Sequence, residues 1–310
     1  MEKSEIEISV VIPFYNEKAY LKEAIESVLY QTIEGIEIIL IDDGSTDGSA
    51  QIARHYAKAN SNIIYIRQDN SGQGIARNKG IEISRGRYIY FLDSDDFLEP
   101  DAMEQCYIHA RNSKSDIVTF NSKVNKYDSS EFMMDYSNRN FSREDMTGKE
   151  YLHESLKDDK FYVPVWLYFY DLSFLRKCKL QFKPVVFEDK IFTMQICVEN
   201  PKITYLNRTL HCRRIRELST MTKKKNIKHL EGAYMNVVTS YEEYLKIKND
   251  NLLKAEMLKF VRRNINIFIG ILRSVENNTQ KKKFKKKSHK FLLSHPKLFS
   301  LKQIIKLRLA

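Results

Sequence analysis

Cysteine is scarce and scattered in this chain. The four residues Cys106, Cys178, Cys197 and Cys212 form no CxxC pair. That spacing argues against a zinc site and a disulfide framework, and it fits a reducing, cytoplasmic setting. Long apolar runs are missing too. No stretch approaches the roughly 20 residues that a membrane-spanning helix needs. The opening MEKSEIEIS is polar and acidic, unlike a secretory signal. Two phosphate-binding loops are also absent. No GxGxxG follows the first strand-like segment, so dinucleotide binding is not indicated, and the lack of GxxxxGK[ST] argues against a P-loop. No internal repeat or low-complexity linker precedes the last ninety or so residues.

Apolar content is ample: 43% of the 310 residues are hydrophobic and 12% aromatic, enough for a substantial core. Charge is divided unevenly. Residues 221–310 carry 22 Lys and Arg against 6 Asp and Glu, a net of +16, which leaves −5 for residues 1–220. A basic tail on a mildly acidic body marks a surface-binding segment, with membrane or nucleic acid as partner. Helical patterns run over 227–247 and 252–276. QKKKFKKKSHK then concentrates charge, and FLLSHPKLFSLKQIIKLRLA mixes apolar and basic residues. No nucleic-acid recognition motif accompanies the charge, so no nucleic acid is expected. Anionic lipid on the cytoplasmic membrane face is the expected partner, with Phe291, Leu292, Leu293, Leu298 and Phe299 entering the interface.

The first half alternates strand and helix patterns. EISVVIPFYN is a β-branched run. Leu21, Ala24, Ile25, Val28 and Leu29 then recur at helical spacing. EIILIDD, IIYIRQ, YIYFLD and DIVTFNSKV read as further strands, separated by helical segments. Such alternation predicts an α/β fold with a mostly parallel, Rossmann-like sheet flanked by helices and followed by a helical, basic C-terminal extension. Ligands bind such sheets outside the carboxyl ends of the strands. Polar clusters lie at four of those ends: PFYNE, DDGSTD, DNSGQG and DSDD.

DSDD sets Asp93, Asp95 and Asp96 at the end of an apolar strand. Carboxylates this close repel, and a divalent cation relieves the repulsion. Mg²⁺ and Mn²⁺ take oxygen ligands, one or two carboxylates beside substrate phosphates. Asp95 is the expected metal ligand, with Asp93 beside it meeting sugar hydroxyls or a metal-bound water. The plainer reading is that these acids, Asp96 above all, cap the helix that starts near Pro100.

ISVVIPFYNE, ILIDDGSTDGS, GQGIARNKGIEISRGRYIYFLDSDD and the later FED resemble, in order and spacing, glycosyltransferase family 2. These are inverting, nucleotide-sugar-dependent enzymes of GT-A fold. The likeness is close over residues 8–120 and looser over 164–221. It implies a catalytic domain at 1–220, with a nucleotide-sugar half at 1–124 and an acceptor half at 125–220. It further implies that Pro13, Tyr15, Asn16 and Glu17 form the donor loop, with Tyr15 stacking on the base. Asp43 is similar to the acid that accepts the base's imide N–H, with Asp42 supporting it. Arg77 resembles the family's arginine near the nucleotide, and Asp93, Ser94 and Asp95 its DxD-type motif. UDP-sugars are the default donor by this resemblance.

Inverting transfer needs a base that takes the acceptor hydroxyl's proton, a contribution of about 10²–10⁴-fold. VVFEDKIFTMQI resembles the family's acidic segment beneath the acceptor, which implies Asp189 as base with Glu188 as alternate. LHCRRIRELSTMT resembles a basic segment that closes over the diphosphate, implying Arg213, Arg214 and Arg216. His211 is a further candidate for the metal. VWLYFYDLSFL departs from the family's more polar pattern and suggests sugar-stacking walls at Trp166, Tyr168 and Tyr170. Residues 125–160 read as a loop and short-helix lid over the acceptor. The competing functions are a strand-end phosphotransferase, a sugar nucleotidyltransferase, or an inactive membrane scaffold.

Overall fold

The computed structural model describes residues 5–125, 136–137, 139, 141–157, 161–215, 224–276 and 279–308. The sheet begins with β1 (Ile8–Phe14) and β2 (Ile36–Asp42), in which every residue is buried. Strands that read as continuous apolar runs are those covered on both faces. Helix α1 (Leu21–Leu29) lies between them and buries Leu21, Ala24, Ile25 and Val28, the stripe its spacing requires. Next come α2 (Ser49–Ala59), β3 (Ile63–Arg67), α3 (Gln73–Ile83), β4 (Tyr88–Phe91), β5 (Phe97–Leu98), α4 (Ala102–Ser113) and β6 (Ile117–Asn125).

The sheet has nine strands in the order β3-β2-β1-β4-β8-β6-β9-β5, with β7 (Asp145–Thr147) beside β9 (Lys202–Arg214). Strands β1 to β4 pair in parallel, and β6 pairs in parallel with β9. The departure from the expected pattern is β8 (Tyr168–Asp171), which runs antiparallel between β4 and β6. Strands β4 and β6 therefore still point the same way, and their carboxyl ends meet at one edge with those of β1, β2 and β9.

Two expectations change here. Of the described part of 125–160, Tyr136 lines the cleft described below, and the longer pieces pack into the body. Strand β7 extends the sheet, and α5 (Gly148–Lys157) buries Tyr151 and Leu152. Residues 126–135, 138, 140 and 158–160 lie outside the described residues. Most apolar residues of the tail are not available to a membrane either. Beyond α6 (Leu172–Lys177) and α7 (Glu188–Val198) come α8 (Ile227–Lys246), α9 (Asn251–Ser274), α10 (Thr279–Ser294) and α11 (Leu301–Arg308). Leu292, Leu298, Phe299 and Leu307 pack with Leu230, Val237, Val261 and Leu272 in a second core, and Phe291 packs against it. Of the five named for the interface, only Leu293 projects into solvent. Leu253, Met257 and Phe260 of α9 join the main core. The charge boundary at residue 220 lies outside the described residues, and α9 beyond it packs into the main core.

Candidate active site

The carboxyl ends of β1, β2, β4 and β9 open into a cleft of about 1130 Å³. Its first wall is the segment after β1. Pro13, Tyr15, Asn16 and Glu17 all line the cleft, and the Tyr15 ring is 48% exposed there. The turn after β2 holds this segment. Ser45 Oγ accepts from the Asn16 amide at 3.0 Å, Asn16 Oδ1 from the Thr46 amide at 2.8 Å, and Ser49 Oγ from the Glu17 amide at 2.8 Å. Asn16 has a φ of 56°, a left-handed conformation that asparagine tolerates better than most residues.

Asp42 and Asp43 are both buried but differ in role. Asp42 accepts from Tyr65 Oη at 2.9 Å, Arg67 Nη1 at 2.7 Å and the Ser45 amide at 2.7 Å, so it pins β3 and the turn and does not line the cleft. Asp43 reaches the cleft. Its Oδ1 accepts from Gln68 Nε2 and the Ser71 amide, each at 2.8 Å, and its Oδ2 from the Gly72 amide at 2.9 Å. The carboxylate is fixed, and Oδ2 retains capacity for one more donor.

Asp93, Asp95 and Asp96 follow β4, and a carboxylate oxygen of each lies within 4.8 Å of the others. Ser94, buried between them, also lines the cleft. Asp96 caps no helix; α4 is preceded by Asp101 instead. Asp96 accepts from the Arg214 amide at 2.7 Å, and burial, then the Asp93 charge, holds its carboxyl well above the usual range. His211 lies behind it, fully buried. Its Nδ1 pairs with Ser122 Oγ at 2.8 Å, and its Nε2 stands 3.4 Å from Asp96 Oδ2 with no hydrogen-bond partner. Burial pushes the His211 pKa down to about 3, so the ring is neutral. Trp166 stacks on that ring at 4.3 Å, with 8° between the planes. The three clustered carboxylates form a donor set that fits a divalent cation, and the neutral His211 ring stands behind them, outside the cleft lining.

Arg77 joins this cluster to the FED segment. Its Nη2 donates to Asp93 Oδ1 at 2.8 Å and its Nη1 to Glu188 Oε1 at 2.7 Å. Gln73 Nε2 donates to the same Asp93 oxygen at 2.7 Å. Helix α3 can present Arg77 this way because Gly80 lets it lie directly on β1. A Cβ at Gly80 would sit 2.4 Å from Val11 Cγ1. Asp189 is the next residue along α7. Burial, then the Glu188 carboxylate, pushes its pKa up to about 7, with Arg77 and Lys190 opposing. Phe187 precedes this pair with a φ of 68°, a strained conformation for an aromatic residue at the start of a helix.

Several expected residues stand elsewhere. Tyr168 is not a cleft wall. It is buried in β8, where its hydroxyl bonds Tyr151 Oη at 2.9 Å and the Tyr162 carbonyl. Tyr170 is likewise internal, donating to the Val165 carbonyl at 3.1 Å. Trp166 does line the cleft, but one ring face is covered by His211. Arg214 lines the cleft but is held at its edge. Its Nη2 is paired with Glu23 at 2.6 Å, and its guanidinium lies over the Tyr20 ring. Arg213 lines the cleft with its guanidinium over Tyr136. Arg216 lies outside the described residues. The sequence reading also missed an entire wall. Lys228 and Glu231 of α8, and Phe260, Arg263, Asn264 and Ile267 of α9, face the same cleft. Their helical spacing was visible, but nothing in it told a cleft face from a solvent face.

The model of glycosyl transferase family 2 matches residues 9–170. The cholesterol galactosyltransferase of Borreliella burgdorferi is 30% identical over 271 residues, which are 82% of this chain and 73% of that protein. Among solved structures, S. aureus TarS 1–349 in complex with UDP-GlcNAc resembles the chain with a TM-score of 0.66 at 18% identity, over 85% of this chain and 73% of that one. The mannosyltransferase PcManGT from Pyrobaculum calidifontis, in complex with GDP-Man and Mn²⁺, does so with a TM-score of 0.60 at 12% identity, over 97% and 78%. The architecture is thus the one these GT-A-type enzymes share, and the chain is a glycosyltransferase that belongs to glycosyl transferase family 2.

Proposed function

We propose that the protein transfers a sugar from a nucleotide sugar, a UDP-sugar first among them, to a hydroxyl of a glycan or lipid-linked acceptor, with inversion at the anomeric carbon. One observation carries this reading. Arg77 bonds Asp93 on one side and Glu188 on the other, so the carboxylate cluster and the candidate base share one cleft. The UDP-GlcNAc held by TarS and the GDP-Man and Mn²⁺ held by PcManGT support a nucleotide-sugar donor and a divalent metal.

Tyr15 offers its ring to the base, and Asp43 Oδ2 accepts from the base's N–H. Asp42 keeps Asp43 in place by fixing the turn. Pro13, Asn16, Glu17 and Ser94 shape the donor side, and Arg77 orients Asp93 toward the sugar hydroxyls. Asp95 and Asp93, with His211 reached through Asp96, would hold Mn²⁺ or Mg²⁺, which offsets charge on the departing diphosphate. Asp189 takes the proton of the attacking hydroxyl, and Glu188 is held to Arg77. Single displacement from the face opposite the diphosphate then inverts the anomeric centre. The catalytic unit in this reading includes α8 and α9.

The basic tail keeps a membrane role in this reading, chiefly through charge. Lys282, Lys283, Lys286 and Lys290 are exposed on α10, and no described helix is long and apolar enough to cross a membrane. We infer peripheral contact with anionic lipid.

The test is hydrolysis of a panel of nucleotide sugars with and without Mn²⁺ or Mg²⁺. At least one UDP-sugar should be consumed, and chelator should abolish turnover. Asp95→Asn should lower the rate by about two or more orders of magnitude. Full turnover in excess chelator would remove the metal from the account. If no nucleotide sugar were bound or consumed, the reading would fail, and an inactive scaffold within the same family would regain its place.

A further inference from the structure

Helix α3 starts between two acids of the cleft. The Ser71 and Gly72 amides donate to Asp43, at 2.8 and 2.9 Å. Gly72 has a φ of 91°, open to glycine at no steric cost, and there the chain turns into the helix. Gln73, the first residue of α3, then donates through Nε2 to Asp93 Oδ1 at 2.7 Å. Ser71, Gly72 and Gln73 therefore span Asp43 after β2 and Asp93 after β4. Arg77 donates to the same Asp93 oxygen at 2.8 Å. Residues four apart share one face of a helix, so α3 delivers both donors to one atom. The two donors differ. Arg77 is buried and is shared with α7 through its bond to Glu188. Gln73 lines the cleft, and among the described residues its side chain bonds Asp93 alone. Charge sets the direction of its amide, because a carboxylate accepts and cannot donate to the amide oxygen.

We propose that Gln73 is a positioning residue for the metal site: it holds the Asp93 carboxylate turned so that Oδ2 joins Asp95 in binding the cation. This inference rests on the reading of Asp93 and Asp95 as the metal's carboxylates in a nucleotide-sugar transferase. Asp93, Asp95 and Asp96 each have an oxygen within 4.8 Å of the others, so their charges push the side chains apart when no cation is bound. A carboxylate without donors of its own would rotate away from that crowding. Gln73 and Arg77 oppose the rotation by taking Oδ1, which leaves Oδ2 for a ligand. Gln73 touches Asp93 and not the cation. Partners that orient a metal's ligands in this way are worth about 10–100-fold in metal affinity. Arg77 cannot supply the whole effect, because Glu188 draws on the same guanidinium. The helix start that Asp43 clasps thus also sets the carboxylate at the metal end of the donor side.

The test uses the full chain saturated with UDP. Mn²⁺ is titrated in, and the free ion is read by electron paramagnetic resonance. Gln73→Leu removes the donor and keeps most of the bulk. Gln73 is exposed, so the substitution keeps the fold, and an unchanged melting temperature checks this. The Mn²⁺ affinity of the UDP complex should fall by about tenfold or more in the variant. UDP affinity measured in chelator should not move. In an Asp93→Ala background, Gln73→Leu should cost nothing further, because the carboxylate it holds is gone. Unaltered Mn²⁺ affinity in Gln73→Leu overturns the proposal. An equal loss in the Asp93→Ala background also overturns it, because Gln73 would then act on something other than Asp93. Loss of UDP affinity in chelator does so too, since Gln73 would then be a nucleotide contact. If the unaltered protein bound UDP but no Mn²⁺, the proposal would fall and the transferase reading would lose only its metal. If it bound no UDP, the failure would be that of the transferase reading itself.

Discussion

Asp189 has to be ionised to accept a proton, yet its surroundings resist ionisation. Burial and the neighbouring Glu188 hold its pKa at about 7, while Arg77 and Lys190 keep it from rising further. A base with a pKa near the working pH combines adequate ionisation with a useful driving force for proton transfer. The sign of the pH dependence follows. Below about 7 the carboxyl is protonated, so kcat/KM should rise with pH through that region and level off above it. A profile that is flat from pH 5.5 to 8 would separate Asp189 from the base's role. At this scale much of the site was readable. Asp43, Arg77, Asp93, Asp95 and Asp189 lie in short segments whose order and spacing are distinctive, and the fold brings all of them to one cleft. Tyr168 misled because an aromatic residue reads the same whether it walls a pocket or fills a core. Only the strand position of β8 shows that its hydroxyl bonds inward to Tyr151. Lys190 and Arg263 went unread because a lone charge on a helix resembles any solvated one.

At the scale of elements, two glycines set the site's geometry. Gly80 seats α3 on β1 and so brings Arg77 to Asp93. Gly232 seats α8 against the segment before α7, where a Cβ would come within 2.1 Å of the Val186 carbonyl oxygen. Gly232→Ala must push α8 away from that loop. Overpacking of this kind costs about 1–3 kcal/mol. The melting temperature should therefore fall, and transfer to the acceptor should weaken more than UDP affinity, because α8 belongs to the far wall. An unchanged melting temperature and full transfer would show that the helix has slack there. The alternating strands and helices up to β6 were readable from apolar periodicity. Strand β8 was not, since YFYD is four residues long and pairs antiparallel with partners distant in sequence.

Across the whole molecule, the basic tail folds onto the body instead of trailing from it. Most of its apolar residues close a second core with α8 and α9, so α10 offers a membrane its lysines and, of the apolar residues, Leu293. Binding to vesicles of anionic lipid should therefore be largely electrostatic. It should be strong at low salt and vanish near 1 M, where the Debye length is about 3 Å. Replacing Lys282, Lys283, Lys286 and Lys290 by glutamine should abolish it while leaving the melting temperature unchanged. Binding that persists at 1 M salt would mean that apolar side chains do insert. Composition revealed the charge of the tail but not its packing, because a face that serves a core and one that serves a membrane share one spacing. The central claim concerns the cleft: Asp189 drives an inverting displacement on a nucleotide sugar. Proton NMR of an α-linked UDP-sugar, followed from mixing with the full chain and with Asp189→Asn, tests it most directly. The expected result is a first-formed sugar of β configuration, and a rate about 10²–10⁴-fold lower in the variant with UDP still bound. A first-formed α anomer, or a variant as fast as the unaltered protein, would contradict it.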